Sequence, residues 1–363
     1  MTTTDQAKTE AFVGRLFNAA LGSLDLLTVY VGDRLGLYKT LVEKGPATSS
    51  ELARRAKVNE RYAREWLEQQ AVTGILDVDD PKLPEGKRRY ALPAAHAAAL
   101  VDPESPFSFA PLAKMLGAIG PSMPKLVEAF RTGGGVSWTD FGNEVMEAQG
   151  DFNRPWLVHQ FGKEYLPCIP DIHKRLRATP PARVADVACG VGWSSIAIAR
   201  AYPKAIVHGF DLDASSIAAA RKNAVGAGVG DRVKFQVKDV AALSSRDKYD
   251  LAVVIEAVHD LSKPVEVLSA IRRILAPGGS LIVADERVAD AFTAPGDDLE
   301  RMMYGASIFV CLPSGMAEQP SAATGTVMRA PTLKGYAAKA GFKDVQALPI
   351  QNPFLRFYRL TPS

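Results

Sequence analysis

Glycines, acids and a histidine stand at regular intervals in the second half of the chain. Gly190 and Gly192 follow one short apolar run and precede an alanine-rich helical pattern. Asp211 and Asp239 end the next two apolar runs, and His259 follows a fourth. Because parallel strands place their carboxyl ends at one edge of a sheet, we expect these residues to lie near one another. Together they could bind a polar ligand at a glycine turn and move a proton at neutral pH.

The glycine turn alone leaves several types of site open. A dinucleotide-binding turn has the pattern G-x-G-x-x-G, but Ser195 stands at the position of its third glycine. A phosphate-binding P-loop needs G-K-S or G-K-T, which does not follow here. A turn for S-adenosylmethionine (SAM) is the third type, and two glycines can also serve packing alone.

The run "DVACGVG" resembles motif I of the class I SAM-dependent methyltransferases, in which an acid precedes glycines at alternate positions. Asp186, Gly190 and Gly192 match this motif, whereas Ala188 stands where the family usually has its first glycine. The resemblance implies that the turn binds the methionine end of SAM. S-adenosylhomocysteine (SAH) is then the product.

The acids after the following strands extend the resemblance. Asp211 matches the acid that binds both ribose hydroxyls in the family. The negative charge of this carboxylate would repel the extra phosphate of NADP. Asp239 matches the residue near the adenine amino group, and Leu212 and Val240 beside these acids are predicted cofactor contacts too. Glu256 matches a polar position that flanks the methionine portion. The run "LAPGGSLIVAD" resembles the turn into the fifth strand of the family. The run "YAAKAGFKDVQALPI" followed by "FLRFYRL" resembles its last helix and closing antiparallel pair.

The pair His259–Asp260 resembles the "HD" pair of small-molecule O-methyltransferases, in which the histidine is the general base toward a hydroxyl. A histidine with a pKa near 6.5 suits that role. The resemblance also places an acid after the fifth strand to orient the histidine, and Asp285 (or Glu286) stands there. Leu261 departs from the family, which usually has tryptophan after the pair. The alternative is that His259 caps a helix or satisfies a buried carbonyl.

Two apolar regions are predicted to shape the pocket of the methyl acceptor. Met-rich and aromatic surfaces accommodate irregular apolar ligands, so we expect a small, largely apolar or aromatic acceptor. Core packing would explain the same residues. The predicted acceptor contacts are Phe152, Trp156, His159, Met303 and Tyr304, and His159 and Tyr165 are reserve candidates for the base.

The elements that must position these residues form an α/β fold. Short β-rich runs alternate with helical patterns after residue 182, which predicts a Rossmann-like, seven-stranded, doubly wound sheet of the class I methyltransferase type. Residues 182–363 form this predicted domain, with a cap insertion at 287–331. A helical linker that lines the pocket is predicted for residues 106–181.

Residues 1–105 are predicted to form a mostly helical winged-helix domain. A helix, a turn at Val58–Asn59, a helix over 60–72 and a hairpin of "ILDVD" and "RYAL" follow in order. Residues 10–44 carry apolar side chains on more than one face of a helix, which calls either for self-association or for burial within the domain. In the O-methyltransferases that this chain resembles, the domain serves dimerisation, which implies a homodimer.

A winged helix also raises the alternative of a DNA-binding regulator with a SAM-binding domain. Residues 1–100 contain 14 basic and 13 acidic side chains, so the electrostatic footprint of a nucleic-acid site is missing and nucleic-acid binding is not expected. The whole chain of 363 residues has a net charge of +3. Its three cysteines lack CxxC spacing, so we expect no zinc site or other metal site. We expect a reducing, cytoplasmic location. Neither a signal peptide nor a membrane span is predicted, since the uncharged run 302–317 is too short.

Overall fold

The computed structural model describes residues 2–244 and 246–362. Two compact units divide the chain: an N-terminal unit, Met1–Gly120, and a C-terminal unit, Pro121–Ser363. The predicted division into three parts, 1–105, 106–181 and 182–363, stays a prediction. The structure adds that the helix over 110–119 packs on the first helix of the N-terminal unit, whereas helices over 143–177 pack on the sheet of the C-terminal unit.

The N-terminal unit has six α-helices and one short hairpin within its described residues. The helices are α1 (Thr3–Arg34), α2 (Leu37–Lys44), α3 (Ser49–Ala56), α4 (Glu60–Val72), α5 (Ala94–Leu100) and α6 (Ala110–Ile119). The strands β1 (Asp77–Val78) and β2 (Tyr90–Ala91) pair antiparallel. The predicted order of helix, turn, helix and hairpin is thereby confirmed.

Local sequence explains where these helices begin. Thr48 is the N-cap of α3, because its side chain accepts from the amide of Glu51 while the Glu51 carboxylate accepts from the amide of Thr48. Asn59 caps α4 through the amide of Arg61. The core of the unit centres on Leu67, which is fully buried.

Helix α1 leaves a broad apolar face uncovered within its own unit. Side chains along this face are between 42% and 63% exposed: Phe12, Val13, Leu16, Phe17, Leu21, Leu24, Leu27 and Val31. Burial within the domain, one of the two explanations for this pattern, is therefore wrong for these side chains. Among the described residues α1 is also the one helix long and apolar enough to cross a membrane by length and composition. A search for uncharged runs overlooks it because charged residues interrupt its sequence.

The C-terminal unit consists of a seven-stranded sheet and the helices around it. Its strands are β3 (Arg183–Val187), β4 (Ile206–Asp211), β5 (Val233–Val237), β6 (Tyr249–Ile255), β7 (Leu275–Glu286), β8 (Phe342–Ala347) and β9 (Leu355–Pro362). Its α-helices are α7 (Met123–Thr132), α8 (Trp138–Phe141), α9 (Asn143–Trp156), α10 (Pro170–Arg177), α11 (Trp193–Ala201), α12 (Ala214–Gly226), α13 (Pro264–Ile274), α14 (Asp298–Ala306), α15 (Leu312–Met316) and α16 (Ala330–Lys339). Leu157–Tyr165 and Ser307–Cys311 are π-helical continuations of α9 and α14.

The order of strands in the sheet is β5-β4-β3-β6-β7-β9-β8. The first five are parallel, and β9 runs antiparallel to both β7 and β8. Alternate residues of β3 face opposite cores: Val184 packs with α11 and α12, and Ala185 packs with α13 and α16. Helices therefore cover both faces, which confirms the predicted doubly wound, Rossmann-like sheet.

The predicted insertion at 287–331 forms α14, its π-helical continuation and α15, and it covers the loop after β6. The amide of Gly325 donates to the carbonyl of His259, and the amide of Ala322 donates to the carbonyl of Ser262. The hydroxyl of Ser262 in turn donates to the carbonyl of Gly315 at 3.0 Å. This packing buries the histidine that follows β6.

Candidate active site

The glycine turn lies at the carboxyl end of β3, directly before α11. Gly190 and Gly192 have φ values of +51° and +84°, in the left-handed region that favours glycine. A Cβ on Gly192 would lie 2.7 Å from the ring of Phe235 and 2.8 Å from Ala220, so only glycine fits there. Ala188 has a φ of +55°, which explains why the family prefers glycine at this position.

Asp211 lies beside this turn. One of its carboxylate oxygens accepts from the amide of Gly190 at 2.8 Å, and the other accepts from the amide of Asp213 at 2.9 Å. Burial raises the pKa of Asp211 and these amide hydrogen bonds oppose the rise. The carboxylate is partly exposed at the edge of the sheet, where it can accept further donors.

Asp239 and Leu212 lie at the same edge. Asp211 pairs with Val237 in the register of β4 and β5, and the amide of Lys238 donates to the carbonyl of Asp211. Asp239 is exposed, with one oxygen accepting from the amide of Ala241 at 2.8 Å. Leu212 is 70% exposed, an apolar surface between two acids, whereas Val240 is buried. The structure thus brings the predicted adenosine contacts together at one edge.

Asp186 lies beneath the turn. Its carboxylate is buried and accepts from the hydroxyls of Ser194 and Ser195, both at 2.5 Å. Burial raises its pKa to about 6, although the two hydroxyls oppose the rise. Ser195, which breaks the dinucleotide pattern, thereby ties the start of α11 to β3. This geometry shows Asp186 as a support of the turn, and its contact with a cofactor stays a prediction.

Glu256 follows β6 with a φ of +49°. Its carboxylate accepts from the side-chain amides of Gln149 at 2.6 Å and Asn153 at 2.5 Å, both on α9. The amide of Glu256 donates to the carbonyl of Ala284 on β7. The carboxylate therefore connects α9 with the centre of the sheet edge.

His259 lies three residues further on and is 1% exposed. Its Nδ1 lies 2.7 Å from an oxygen of Asp285 and 2.9 Å from an oxygen of Glu286. Its Nε2 lies 3.2 Å from Asp260 Oδ1. The structure thus brings His259 and Asp285 together as predicted. Since both ring nitrogens face carboxylates, the side chain does more than cap a helix.

The carboxylates decide the charge of this histidine. Burial alone lowers the pKa of His259, but Asp285, Glu286 and Asp260 outweigh it and raise the pKa well above the ordinary value. Despite its burial, the pKa of Asp285 is lowered by His259, while burial raises that of Glu286. We therefore assign an imidazolium–carboxylate pair to His259 and Asp285, and the raised pKa of Glu286 favours its protonated form.

Cys311 completes this cluster from the insertion. One ligand-type atom each of His259, Asp260 and Cys311 lie within 4.8 Å of one another, as do those of His259, Asp285 and Glu286. Burial raises the pKa of the Cys311 thiol to about 12, so it stays protonated. Both groups of three could hold a metal by residue type, and the expectation of no metal stays a prediction.

The predicted acceptor contacts are dispersed. Trp156 packs among the rings of Phe161, Tyr165 and Phe357 on the core of one sheet face. Phe152 packs against Phe354 with ring centroids 5.8 Å apart. This places Phe152 next to Asn153 on the helix that contacts Glu256.

The other three candidates lie on the π-helical segment after α9 and on α14. His159 is exposed on the π-helical segment, Met303 is buried on α14, and Tyr304 is 38% exposed with its hydroxyl 3.4 Å from Arg329. Their contact with an acceptor stays a prediction.

Sequence reasoning missed Gln149, Asn153 and Cys311. Gln149 and Asn153 are four residues apart, so they share one face of a helix. A pair of side-chain amides at this spacing, together with a strand-end acid, Glu256, that has no predicted partner, is the signal that could have revealed them. Cys311 carried no such signal, because only the π-helical turn directs it toward His259.

Comparisons with known families match both units. Residues 179–322 match a family described as "Methyltransferase domain". Residues 22–102 match the "Rv2258c-like winged HTH domain". Together with the sheet topology, these matches identify a methyltransferase domain preceded by a winged helix-turn-helix domain.

Individual relatives agree in fold. The trans-aconitate 2-methyltransferase of Methylobacterium nodulans is 31% identical over 146 residues, 40% of this chain and 53% of its own length. The chain thus spans about half the length of this curated relative. The mitomycin 7-O-methyltransferase MmcR superposes with a TM-score of 0.69 over 100% of both chains at 20% identity. Human N-acetylserotonin methyltransferase, solved in complex with SAM, gives 0.67 at 18% identity over 97% of this chain and 98% of its own.

Proposed function

We propose that this chain, a winged helix-turn-helix domain followed by a methyltransferase domain, is a SAM-dependent methyltransferase that acts on a hydroxyl of a small, largely apolar or aromatic molecule. The observation that carries the proposal is the hydrogen bond from the Gly190 amide to Asp211 at the carboxyl end of the parallel sheet. It joins the turn and the acid that the cofactor requires. The paired His259 and Asp285 lie at the same edge, after β6 and on β7, the next two strands beyond β3.

The residues present fit SAM. Asp211 is partly exposed and keeps acceptor capacity for the two ribose hydroxyls, and no neighbouring cation competes for it among the charges that set its pKa. Leu212 offers an apolar face for adenine, with Asp239 beside it to accept from the amino group. Gly190 and Gly192 carry no side chain at two positions of the turn. Bound there, SAM supplies an electrophilic methyl group on a sulfonium.

His259 is the proposed base for the acceptor hydroxyl. Asp285 accepts from Nδ1 at 2.7 Å, which holds the ring. Nε2 is then the nitrogen that takes the proton, and an acceptor hydroxyl there would replace its contact with Asp260 Oδ1 at 3.2 Å. Because the pKa of His259 is raised, its neutral, basic form becomes abundant at higher pH than that of an ordinary histidine. Burial beneath the insertion excludes water from the ring.

Calorimetric titration with SAM and SAH tests this function directly. We expect both to bind with micromolar affinity, because the turn and the ribose acid are preformed. Purified protein that is folded by circular dichroism but binds neither would contradict the proposal. Methyl transfer from labelled SAM to a panel of phenols would then identify the acceptor class.

We also propose that the chain is a cytoplasmic homodimer that associates through α1. Its exposed apolar face supports this, since a helix with such a face needs a partner in water. The free Cys168 on the surface is compatible with a reducing compartment. A bilayer is the other environment that would cover α1.

Placing charges on this face should separate the protomers. We expect the double variant Leu16→Asp, Leu24→Asp to weaken dimerisation at least a hundredfold, because each buried leucine contributes about 1.5–3 kcal/mol. Analytical ultracentrifugation measures the change, with Tyr62→Asp, an 80% exposed ring on α4, as the matched control. A wild-type protein that sediments as a monomer and binds lipid vesicles through α1 would overturn the dimer.

The structure favours this function over a DNA-binding regulator. Basic side chains of the winged helix are paired with acids: Arg61 with Glu65 at 2.5 Å and Arg88 with Glu68 at 2.7 Å. Arg64, in the same helix, contacts Glu60 and Glu85. Cations engaged in this way are not available to phosphates without breaking their pairs.

A further inference from the structure

Three consecutive glycines before α8, followed by Val136, form a segment that contacts the cap insertion; residues 133–136 are here called the glycine segment. A Cβ on Gly135 would overlap the amide nitrogen of Ala317 and the carbonyl oxygen of Pro313. Both are backbone atoms, so no change of rotamer could make room. Val136 is 1% exposed, and its amide donates to the same carbonyl of Pro313 at 3.0 Å. The glycine segment can therefore lie against α15 because residue 135 has no side chain.

The opposite side of α15 lies against the loop that carries His259. Pro313 and Ala317 are four residues apart and share one side of the helix, whereas Gly315, two residues from each, faces the other way. A Cβ on Gly315 would lie 3.2 Å from the carbonyl oxygen of Asp260. The helix is thus held between the glycine segment and the backbone of Asp260.

Hydrogen bonds fix both ends of this contact. The carbonyl of Gly315 accepts from the hydroxyl of Ser262 at 3.0 Å. The carbonyl of His259 accepts from the amide of Gly325 at 3.2 Å, further along the insertion. Since Asp260 lies between these two anchored residues of the loop, a displacement of α15 is transmitted to it.

We propose, on the basis of the proposed function, that Gly135 and Gly315 are positioning residues that act through α15 to hold Asp260 against Nε2 of His259. Asp260 Oδ1 lies 3.2 Å from Nε2, the atom that receives the acceptor hydroxyl. These two glycines thereby set the position of the carboxylate that the hydroxyl has to replace.

The other groups around the ring identify what moves with α15. The titratable side chains that affect or are affected by His259 lie on separate elements: Glu256 after β6, Asp285 and Glu286 on β7, and Cys311 directly before α15. Asp260 and Cys311 should therefore move with this helix. The contact between Asp285 and Nδ1 involves neither of them and should be retained.

Alanine at each glycine tests the proposal through the NMR titration of the His259 imidazole, whose signals are assigned by their loss in His259→Gln. A displacement that lengthens the contact between Asp260 and Nε2 weakens the attraction that raises the pKa of His259. We expect that pKa to fall by about half a unit or more in both Gly135→Ala and Gly315→Ala.

Gly134→Ala is the matched control. Its Cβ would meet the hydroxyl of Thr132 at 3.3 Å, an atom at the end of a side chain, so α15 should stay in place. The pKa of His259 should then equal that of the wild type. A fall as large as in Gly135→Ala would overturn the proposal, because it would show a general response of the glycine segment.

A loss of structure and a loss of position give different results. A variant that is merely destabilised has a lower melting temperature and an unchanged pKa of His259. An unchanged or raised pKa in either folded variant would overturn the role of that glycine, and Gly315→Ala decides the proposal if Gly135→Ala does not fold. For a phenol that the wild type methylates, the rising limb of kcat should move to lower pH together with the NMR midpoint.

Calorimetry with SAH keeps this proposal distinct from the proposed function. The affinity for SAH should be unchanged in both variants, because the glycine turn and Asp211 lie on the side of β3 and β4. Wild-type protein that does not bind SAH would reject the proposed function itself. The NMR titration would still decide whether the two glycines hold Asp260 in place.

Discussion

Asp211→Ala should abolish measurable SAM binding, a loss of at least a hundredfold in affinity. The carboxylate is expected to accept two ribose hydroxyls, and hydrogen bonds to charged groups contribute about 1.5–3 kcal/mol each. It also accepts from the amides of Gly190 and Asp213, so its removal leaves the turn without its anchor. Calorimetry with SAM and SAH measures the loss.

Asp211→Asn separates the two roles of this side chain. The amide keeps one acceptor oxygen, so the turn should be retained while affinity for SAM falls about tenfold or more. Asp344→Ala, far along the chain on an exposed strand, serves as the control for folding and concentration. If Asp211→Ala retained wild-type affinity with an unchanged melting temperature, the ribose assignment would be wrong.

The sheet and its cofactor edge could be predicted because they depend on local pattern. Apolar runs broken by helical patterns specify parallel strands, and the carboxyl ends of such strands meet at one edge. Asp211 ends β4 and Asp239 lies two residues after β5, so no knowledge of packing was needed to place them together. The antiparallel β9 followed from the resemblance rather than from periodicity.

Features that depend on packing could not be predicted in this way. Trp156 is equally compatible with a pocket wall and with the ring cluster in which it lies, because both environments are apolar. The face of α1 could be buried or exposed, and only its neighbours decide. Thr48 and Ser49 are both good N-caps, and the carboxylate of Glu51 selects Thr48.

The charge around His259 was also hidden from sequence. Asp260, Asp285 and Glu286 were visible as acids, but their shared burial around one ring arises from three separate elements: the loop after β6, the end of β7 and the insertion above them. Burial converts three ordinary acids into a group that sets the pKa of the histidine. Residue type alone could therefore propose the base but not its protonation state.

His259→Gln should reduce methyl transfer to a hydroxyl about a hundredfold or more while SAM affinity stays unchanged. General-base catalysis contributes about 10²–10⁴ in rate, and glutamine can retain a hydrogen bond to Asp285 without accepting the proton. Steady-state turnover and SAH calorimetry on the same preparation measure both quantities. Unchanged turnover in a folded variant would refute the role of His259 as base.

The pH dependence of turnover follows from the same carboxylates. Because Asp285, Glu286 and Asp260 raise the pKa of His259, the neutral base forms only as the pH rises through that value, and wild-type kcat should still be increasing above pH 7. Asp285→Asn removes one of these charges, so the pKa of His259 falls and the rising limb of the profile should move to lower pH. Loss of orientation lowers the plateau at the same time. A rising limb that stays in place in Asp285→Asn would contradict this prediction. Either a group other than His259 titrates, or Asp285 has a purely structural role and its loss lowers only the plateau.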